Sequence, residues 1–263
     1  MIRNEIIDAM MNRKSIRKYN TEIPPDEIIE TVVLAGMQAP FAFQAYSVVL
    51  LRDRKRNAFN APLQFVICAD VHRVELFMRQ RGWTLKTNDA TLLLFAMQDA
   101  CYMAENMVIA AESLGMGSCF LGGALFAAAQ LKKNLKLPDK IFPFVMLAMG
   151  YPDENPPVRP RYPLNYVLFK GEYPKLDSKQ VKAAMKAMDE YYLKVGYYRK
   201  LKAKIPLADG KKETFTYDDY TWTEHISRKC GQWDPDVEGQ LRQLGACGFD
   251  ISRKEKKIQK KGK

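Results

Sequence analysis

Residues 88–114 constrain the fold most, because apolar residues occupy nearly every face of the helix that this segment predicts. Asn88 is a typical N-cap residue, and Gly115 is a typical residue at a helix end. A helix that is apolar on all sides is normally buried. We therefore expect this helix to form the centre of the core.

Shorter segments on both sides of this helix predict an α+β protein. Apolar runs bounded by polar residues predict buried strands, and apolar positions at helical spacing predict helices. The predicted strands are 46–51, 63–69 and 142–149. The predicted helices are 5–11, 125–135, 181–192 and a segment that starts after Pro25 and ends at Pro40.

The composition changes after Gly171, where charged and aromatic residues alternate. The few apolar residues of this part are too sparse for an independent core and favour arms that pack on another surface. We expect three parts: a core at 1–171, a helical extension at 172–252 and a basic, disordered tail at 253–263.

The charge does not indicate a nucleic-acid-binding protein. The formal net charge is +11, but the tail 253–263 contributes +6 of it. The remaining +5 is too diffuse for a binding surface without interleaved aromatic residues. The tail itself is typical of a solvated end, and a basic interaction arm is the alternative.

Other patterns exclude further classes. The five cysteines are scattered, odd in number and without ligand spacing to either histidine, so neither a metal site nor a disulfide framework is predicted. The most apolar stretch is interrupted by Asp99, Glu105 and Glu112, which is costly in a bilayer. We expect a cytoplasmic protein with reduced thiols that binds no membrane.

Arg13, Lys14, Ser15 and Arg17 form a short cationic segment after the first predicted helix. Guanidinium groups, an ammonium group and a hydroxyl together suit a phosphate monoester. A solvated basic run is the alternative, because short charge runs are often only surface.

Residues 115–123 contain four glycines, at positions 115, 117, 122 and 123. Such a segment lets a backbone approach a flat ligand closely. It follows a predicted helix and not a strand, so it is not a Rossmann-type dinucleotide motif. A simple turn between helices is the alternative.

Arg159 and Arg161 lie in a loop that Pro156, Pro157, Pro160 and Pro163 stiffen. Proline restricts the backbone, so two guanidinium groups can be held outward with less loss of entropy when an anion binds.

These three segments, in this order and spacing, resemble the FMN-dependent nitroreductase family. The similarity is greatest for the NADPH-dependent oxygen-insensitive nitroreductases and flavin reductases. It covers most of the chain, including Ala110-Ala111-Glu112-Ser113-Leu114-Gly115-Met116-Gly117 and, in the extension, Thr221-Trp222-Thr223-Glu224-His225-Ile226. The resemblance implies a central mixed sheet surrounded by helices, and a homodimer that is embraced by C-terminal arms.

The resemblance also implies the site. The FMN phosphate is bound by Arg13, Lys14, Ser15, Arg17, Arg159 and Arg161. The isoalloxazine ring lies along Phe120, Leu121, Gly122 and Gly123, and Gln44 contacts it, often from the partner subunit. NAD(P)H is the implied cosubstrate, a nitroaromatic, quinone or flavin is the acceptor, and no residue acts as a dedicated catalyst. Basic residues at 199–204 favour NADPH, with a solvated loop as the alternative.

The chain departs from this pattern at residues 39–43, Ala-Pro-Phe-Ala-Phe, where the family is rich in Ser or Asn. The loop between Leu51 and Ala61 is also short. The apolar segment predicts a more apolar pocket with fewer polar contacts to the flavin and substrate, and the two departures together leave the choice of substrate open. An FMN-binding carrier or sensor without efficient reductase turnover is therefore an alternative function.

Overall fold

The computed structural model describes residues 2–208, 210–232 and 236–251, so the tail predicted at 253–263 lies outside the described residues. Contacts group the chain into two compact units. Of the described residues, those at 2–158 and 237–251 form the first unit, and those at 159–236 form the second. The division predicted at residues 171 and 252 stays a prediction about domains.

Within the described residues, four strands form one sheet in the order β1-β2-β4-β3. The strands are β1 (Tyr46–Leu51), β2 (Leu63–Asp70), β3 (Gly117–Leu121) and β4 (Ile141–Gly150). Helices of the first unit are α1 (Glu5–Asn12), α2 (Asp26–Met37), α3 (His72–Gln80), α4 (Asp89–Ser113), α5 (Ala128–Leu135) and α9 (Val237–Ala246). The predicted α+β class is confirmed.

The family resemblance predicts a mixed sheet, and the directions of the four described strands correct this prediction. All neighbouring pairs among the four described strands are antiparallel. In the part of the chain that the structure describes, parallel pairing is limited to one isolated bridge between Ser15 and Ser118. Strand direction depends on how the connections return to the sheet, which the local sequence pattern does not contain.

The long helix α4 forms the centre of the main core, as its apolar sequence predicts. Its side chains from Ala100 to Ala111 pack with Phe65 of β2, Leu147 of β4 and Val32 of α2. Asn88 caps the helix by accepting a hydrogen bond from the backbone amide of Thr91 at 2.9 Å. Helix α2 approaches it closely at Gly36, where an added Cβ would lie 2.5 Å from Cγ of Met107.

The expectation that α4 is buried on every face is wrong within a single chain. Leu94 is 63% exposed, Tyr102 is 47% exposed and Phe95 is 38% exposed. These side chains form an apolar face of α4 that the first unit does not cover.

Three other differences from the sequence prediction concern short elements. Residues 115–123, for which no strand was predicted, contain the edge strand β3, which sequence periodicity misses because Gly117 and Ser118 lack the bulk typical of strands. The predicted helix 125–135 is shorter, because Gly122–Phe126 forms a 3-10 turn before α5. Helix α3 was not predicted.

Helix α9 belongs to the first unit because it packs on α5. The backbone amide of Ala129 donates to the Gln243 side chain at 2.9 Å, and Leu244 contacts the cluster that holds Phe142 and Phe249. This packing explains why contacts return the chain to the first unit at Val237.

The second unit contains α6 (Ser178–Lys194), α7 (Tyr197–Leu201) and α8 (Trp222–Gln232) around a small aromatic cluster. The cluster is formed by Met188, Tyr192, Tyr198 and Tyr220. Beside it, the buried Arg228 donates to both carboxylate oxygens of Glu213, at 2.7 and 2.8 Å, and to Glu224 at 2.6 Å. The guanidinium of Arg228 thus joins α8 to the loop that precedes this helix.

We expect the second unit to lose stability at acidic pH through Glu213. The hydrogen bonds from Arg228, followed by the backbone amide of Phe215, lower the pKa of Glu213 to about 2. Because the folded pKa is lower than the unfolded value of about 4.3, the stabilisation is present above that value and is lost as the pH falls towards 2. The measurement is the free energy of unfolding in urea from pH 6 to pH 2, for the native protein and for Glu213→Gln. A constant difference between the two proteins over this range would contradict the prediction.

Candidate functional site

The cationic segment 13–17 lies beside strand β3. The backbone amide of Ile16 donates to the carbonyl of Ser118 at 2.9 Å, and Ser15 forms the parallel bridge with the same residue. Ile16 is buried with Tyr19 and Ala148. The buried isoleucine therefore anchors a segment in which Arg13, Lys14 and Ser15 are half-buried and Arg17 is exposed.

The loop that follows β4 holds the other side of this segment. The Glu154 carboxylate accepts hydrogen bonds from the backbone amides of Arg17 and of Lys18, the second at 3.0 Å. The Asn155 side chain accepts a hydrogen bond from Lys14. The guanidinium of Arg17 is exposed and lies 5.9 Å from the centre of the Phe59 ring. The loop fixes the backbone of the segment and leaves the Arg17 side chain at the surface.

Three buried polar atoms near this segment have no hydrogen-bond partner among the described residues. They are Nε of Arg13, Oε1 of Glu112 and Oγ of Ser118. The Arg13 guanidinium lies over the Phe120 ring at 5.7 Å. Burial raises the pKa of Glu112, and the charges of Arg13 and Lys14 oppose that rise. Unsatisfied buried groups are rare, and here they mark a place where a polar ligand can be held.

The end of strand β3 leads from these polar groups to an open backbone. Phe120 and Leu121 are half-buried, and Gly122 and Gly123 are exposed. A Cβ added to either glycine would meet no atom within 4 Å. A flat ring can therefore lie directly against this backbone.

These features fit FMN. The cations of residues 13–17 and the unpartnered Arg13 Nε suit a phosphate dianion, and the open glycines suit an adjoining flat ring.

Within the described residues, no cluster of His, Cys, Asp or Glu could hold a metal ion. No helix in the described part of the chain has the length and apolar character needed to cross a bilayer.

Gln44 lies on a different loop, immediately before β1. It is exposed and has a φ of 51°, in the left-handed region. The backbone around it is held by Asp99 of α4, which accepts hydrogen bonds from Ala42, Phe43 and Ala45. Sequence reasoning used Asp99 only to exclude a membrane span, although a lone acid inside an apolar helix is itself a signal of a specific partner.

Arg159 and Arg161 belong to the second unit. Arg159 donates to the hydroxyl of Tyr197 at 2.7 Å and lies 5.0 Å from the centre of that ring. Arg161 donates to the carbonyl oxygens of Arg159 and Pro160, at 2.9 and 3.1 Å. Their role at the phosphate stays a prediction.

The cations at 199–204 also lie in the second unit. Arg199 pairs with Asp218 at 3.1 Å, and the Lys204 amine donates to the carbonyl of Phe215 at 2.6 Å. Lys200 and Lys202 are exposed. Arg199 and Lys204 are therefore held by contacts within the second unit, whereas Lys200 and Lys202 are available to solvent.

Comparisons with known proteins identify the family of this chain. The sequence profile of the Nitroreductase family matches residues 10–58 and 50–151. The chain is 32% identical over 199 residues to the NADPH-flavin oxidoreductase of Vibrio harveyi, covering 72% of this chain and 83% of that protein. It is 28% identical over 239 residues to the FMN reductase (NADPH) of Bacillus subtilis (strain 168), covering 85% and 90% of the two chains.

A solved structure extends the similarity to the fold. The NfrA1 nitroreductase from B. subtilis superposes with a TM-score of 0.77 at 25% identity, covering 93% of this chain and 99% of that one.

The glycines of residues 115–123 should respond differently to substitution. A Cβ at Gly117 would lie 2.4 Å from Cγ1 of Ile16, so Gly117→Ala pushes the cationic segment away from β3. We expect a loss of about 1–3 kcal/mol in the free energy of unfolding, the usual cost of overpacking. Gly123→Ala faces open space and should change it by less than about 0.5 kcal/mol. Denaturant unfolding of both variants checks this, and equal losses would contradict it.

Proposed function

The chain belongs to the nitroreductase family, and from that premise we propose that it is an FMN-dependent NAD(P)H oxidoreductase. FMN, when bound, would supply the redox chemistry, namely acceptance of hydride from the nicotinamide and transfer of reducing equivalents to a nitroaromatic, quinone or flavin acceptor. The observation that carries the proposal is the continuous path from the unpartnered Arg13 Nε, along Phe120, to the open backbone of Gly122 and Gly123.

Arg13, Lys14, Ser15 and Arg17 would hold the FMN phosphate. Arg13 has an unused donor and Arg17 has an exposed guanidinium, so both can form charge-assisted hydrogen bonds to phosphate oxygens. Glu154 fixes the backbone of Arg17, which reduces the entropy lost when the anion is bound. We propose that Arg159 and Arg161 add charge from the second unit.

Phe120, Leu121, Gly122 and Gly123 would lie along the isoalloxazine ring. The exposed backbone of the two glycines can bring its amides close to the ring edge, because no side chain intervenes. The apolar side chains before them exclude water from one side of the ring. The chain thus positions the reacting groups and needs no dedicated acid or base.

We propose a homodimer in which each flavin is contacted by both copies. Gln44 precedes β1 and Gly122 follows β3, and these strands are the two edges of the sheet. At about 4.8 Å per strand step, the two edges are about 14 Å apart in one chain. The exposed apolar face of α4 supplies a surface for the second copy. A monomeric sedimentation profile at sub-micromolar concentration would contradict this assembly.

We place the reaction in the cytoplasm. All five cysteines lie in the described residues and are free, as is typical of a reducing compartment. We further propose that NADPH is preferred over NADH, since the exposed Lys200 and Lys202 can form charge-assisted hydrogen bonds with a phosphate such as the 2′-phosphate of NADPH.

Anaerobic reduction tests the function. With FMN bound, addition of NADPH should bleach the flavin absorbance at about 450 nm, and a nitroaromatic or quinone should restore this absorbance. NADPH should bleach the flavin faster than NADH at low salt. Retained FMN with no bleaching by either nucleotide would favour a carrier or sensor, for which the apolar segment 39–43 is the supporting feature. An absence of FMN binding would reject both functions.

A substitution tests the phosphate site separately. Arg17→Ala should weaken FMN binding to the apoprotein by about 1.5–3 kcal/mol, the usual size for a hydrogen bond to a charged group. Lys18→Ala is the matched control, because its amine already pairs with Asp153 at 2.8 Å. Equal FMN affinity of Arg17→Ala and the native chain, measured by titration, would remove Arg17 from the site.

A further inference from the structure

A buried carboxylate on α4 holds the loop that carries Gln44. Asp99 is 1% exposed. Its Oδ1 accepts a hydrogen bond from the amide of Ala42 at 2.7 Å, and its Oδ2 accepts from Phe43 and Ala45, both at 3.0 Å. Three backbone donors on one loop thus converge on a single side chain of a helix.

These three hydrogen bonds flank Gln44, because Ala42 and Phe43 precede it and Ala45 follows it. Its φ of 51° is unfavourable for a residue with a side chain, so this conformation requires support from its neighbours. The support comes from Asp99 and from a second contact one turn earlier on α4. There the ring of Phe95 meets the ring of Phe43 edge-on at 5.4 Å.

The loop has few means of its own to keep this shape. Residues 39–43 are Ala, Pro, Phe, Ala and Phe, so their side chains offer no hydrogen bonds. Asp99 forms no ion pair within the described residues, and the three amide donors are what offsets the cost of burying its charge. The hydrogen bonds to this loop therefore explain why an acid occupies position 99.

We propose that Asp99 is a positioning residue of the cofactor site, which sets the backbone from which Gln44 is presented to the flavin. The inference rests on the proposed function, because it takes Gln44 to be a flavin contact. It links the central helix of the core to the cofactor through one carboxylate.

Asp99→Asn tests the inference. An asparagine offers one acceptor oxygen, and its NH₂ group would face amide donors. We expect hydrogen exchange at the amides of Ala42, Phe43 and Ala45 to accelerate at least about 10-fold, and FMN affinity to fall by a similar factor. The matched control is Asp89→Asn on the same helix, because Asp89 is paired with Lys140 at 2.6 Å and does not bind this loop. The control should lower stability without changing exchange at residues 42–45 or FMN affinity.

A double-mutant cycle with Gln44→Ala separates positioning from a general loss of structure. If Asp99 acts through Gln44, the double variant should bind FMN no more weakly than the weaker single variant. Independent, multiplicative losses would overturn the inference, and so would unchanged exchange in Asp99→Asn. If Asp99→Asn does not fold, Asp99→Glu is used instead, because it keeps the carboxylate on a longer side chain. We expect it to accelerate hydrogen exchange and to weaken FMN binding, both to a smaller extent. Native hydrogen exchange and native FMN affinity in this variant would overturn the inference.

Failure of the proposed function gives a different result. If the native protein binds FMN and Gln44→Ala binds it equally well, the Gln44 contact is rejected, and with it the inference. If the native protein binds no FMN, the proposed function itself is rejected, even where exchange shows that Asp99 holds the loop.

Discussion

The packing of α4 between α2 and the sheet is the constraint on which the rest of the first unit depends. Met103 and Met107 of α4 are buried against Gly36 of α2, which leaves no room for a side chain at that glycine. Protein interiors are close-packed, so such a contact fixes the distance and register of two helices. The fixed helix then carries Asp99 to the loop before β1 and Glu112 to the cationic segment.

The site features lie at the edges of this core, where backbone groups remain available. Strand β3 is an edge strand, so one side of it pairs with β4 and the other receives the segment at Ser15. The same strand ends in two glycines that face open space. A central strand could not receive such a segment, because both of its sides are already paired.

Carboxylates accompany the cations on both sides of the site. Glu154 binds the backbone of Arg17, and the half-buried Glu112 lies within the electrostatic influence of Arg13 and Lys14. These acids reduce the repulsion between neighbouring cations before a ligand arrives, since like charges at short distance destabilise a fold. The cations can therefore be concentrated in one segment.

Local sequence was sufficient for the elements with strong periodicity and clear ends. Asn88 and the apolar run after it predicted α4, and residues 46–51 predicted β1, because caps and spacing act over a few residues. The residue types at 13–17 predicted a phosphate site, and this site stays a prediction. Tertiary structure alone decided the strand directions, the edge strand β3 and the exposed face of α4, each of which depends on distant neighbours. It also brought Asp99 to Ala42, 57 positions earlier, because only packing creates contacts between residues so far apart in the chain.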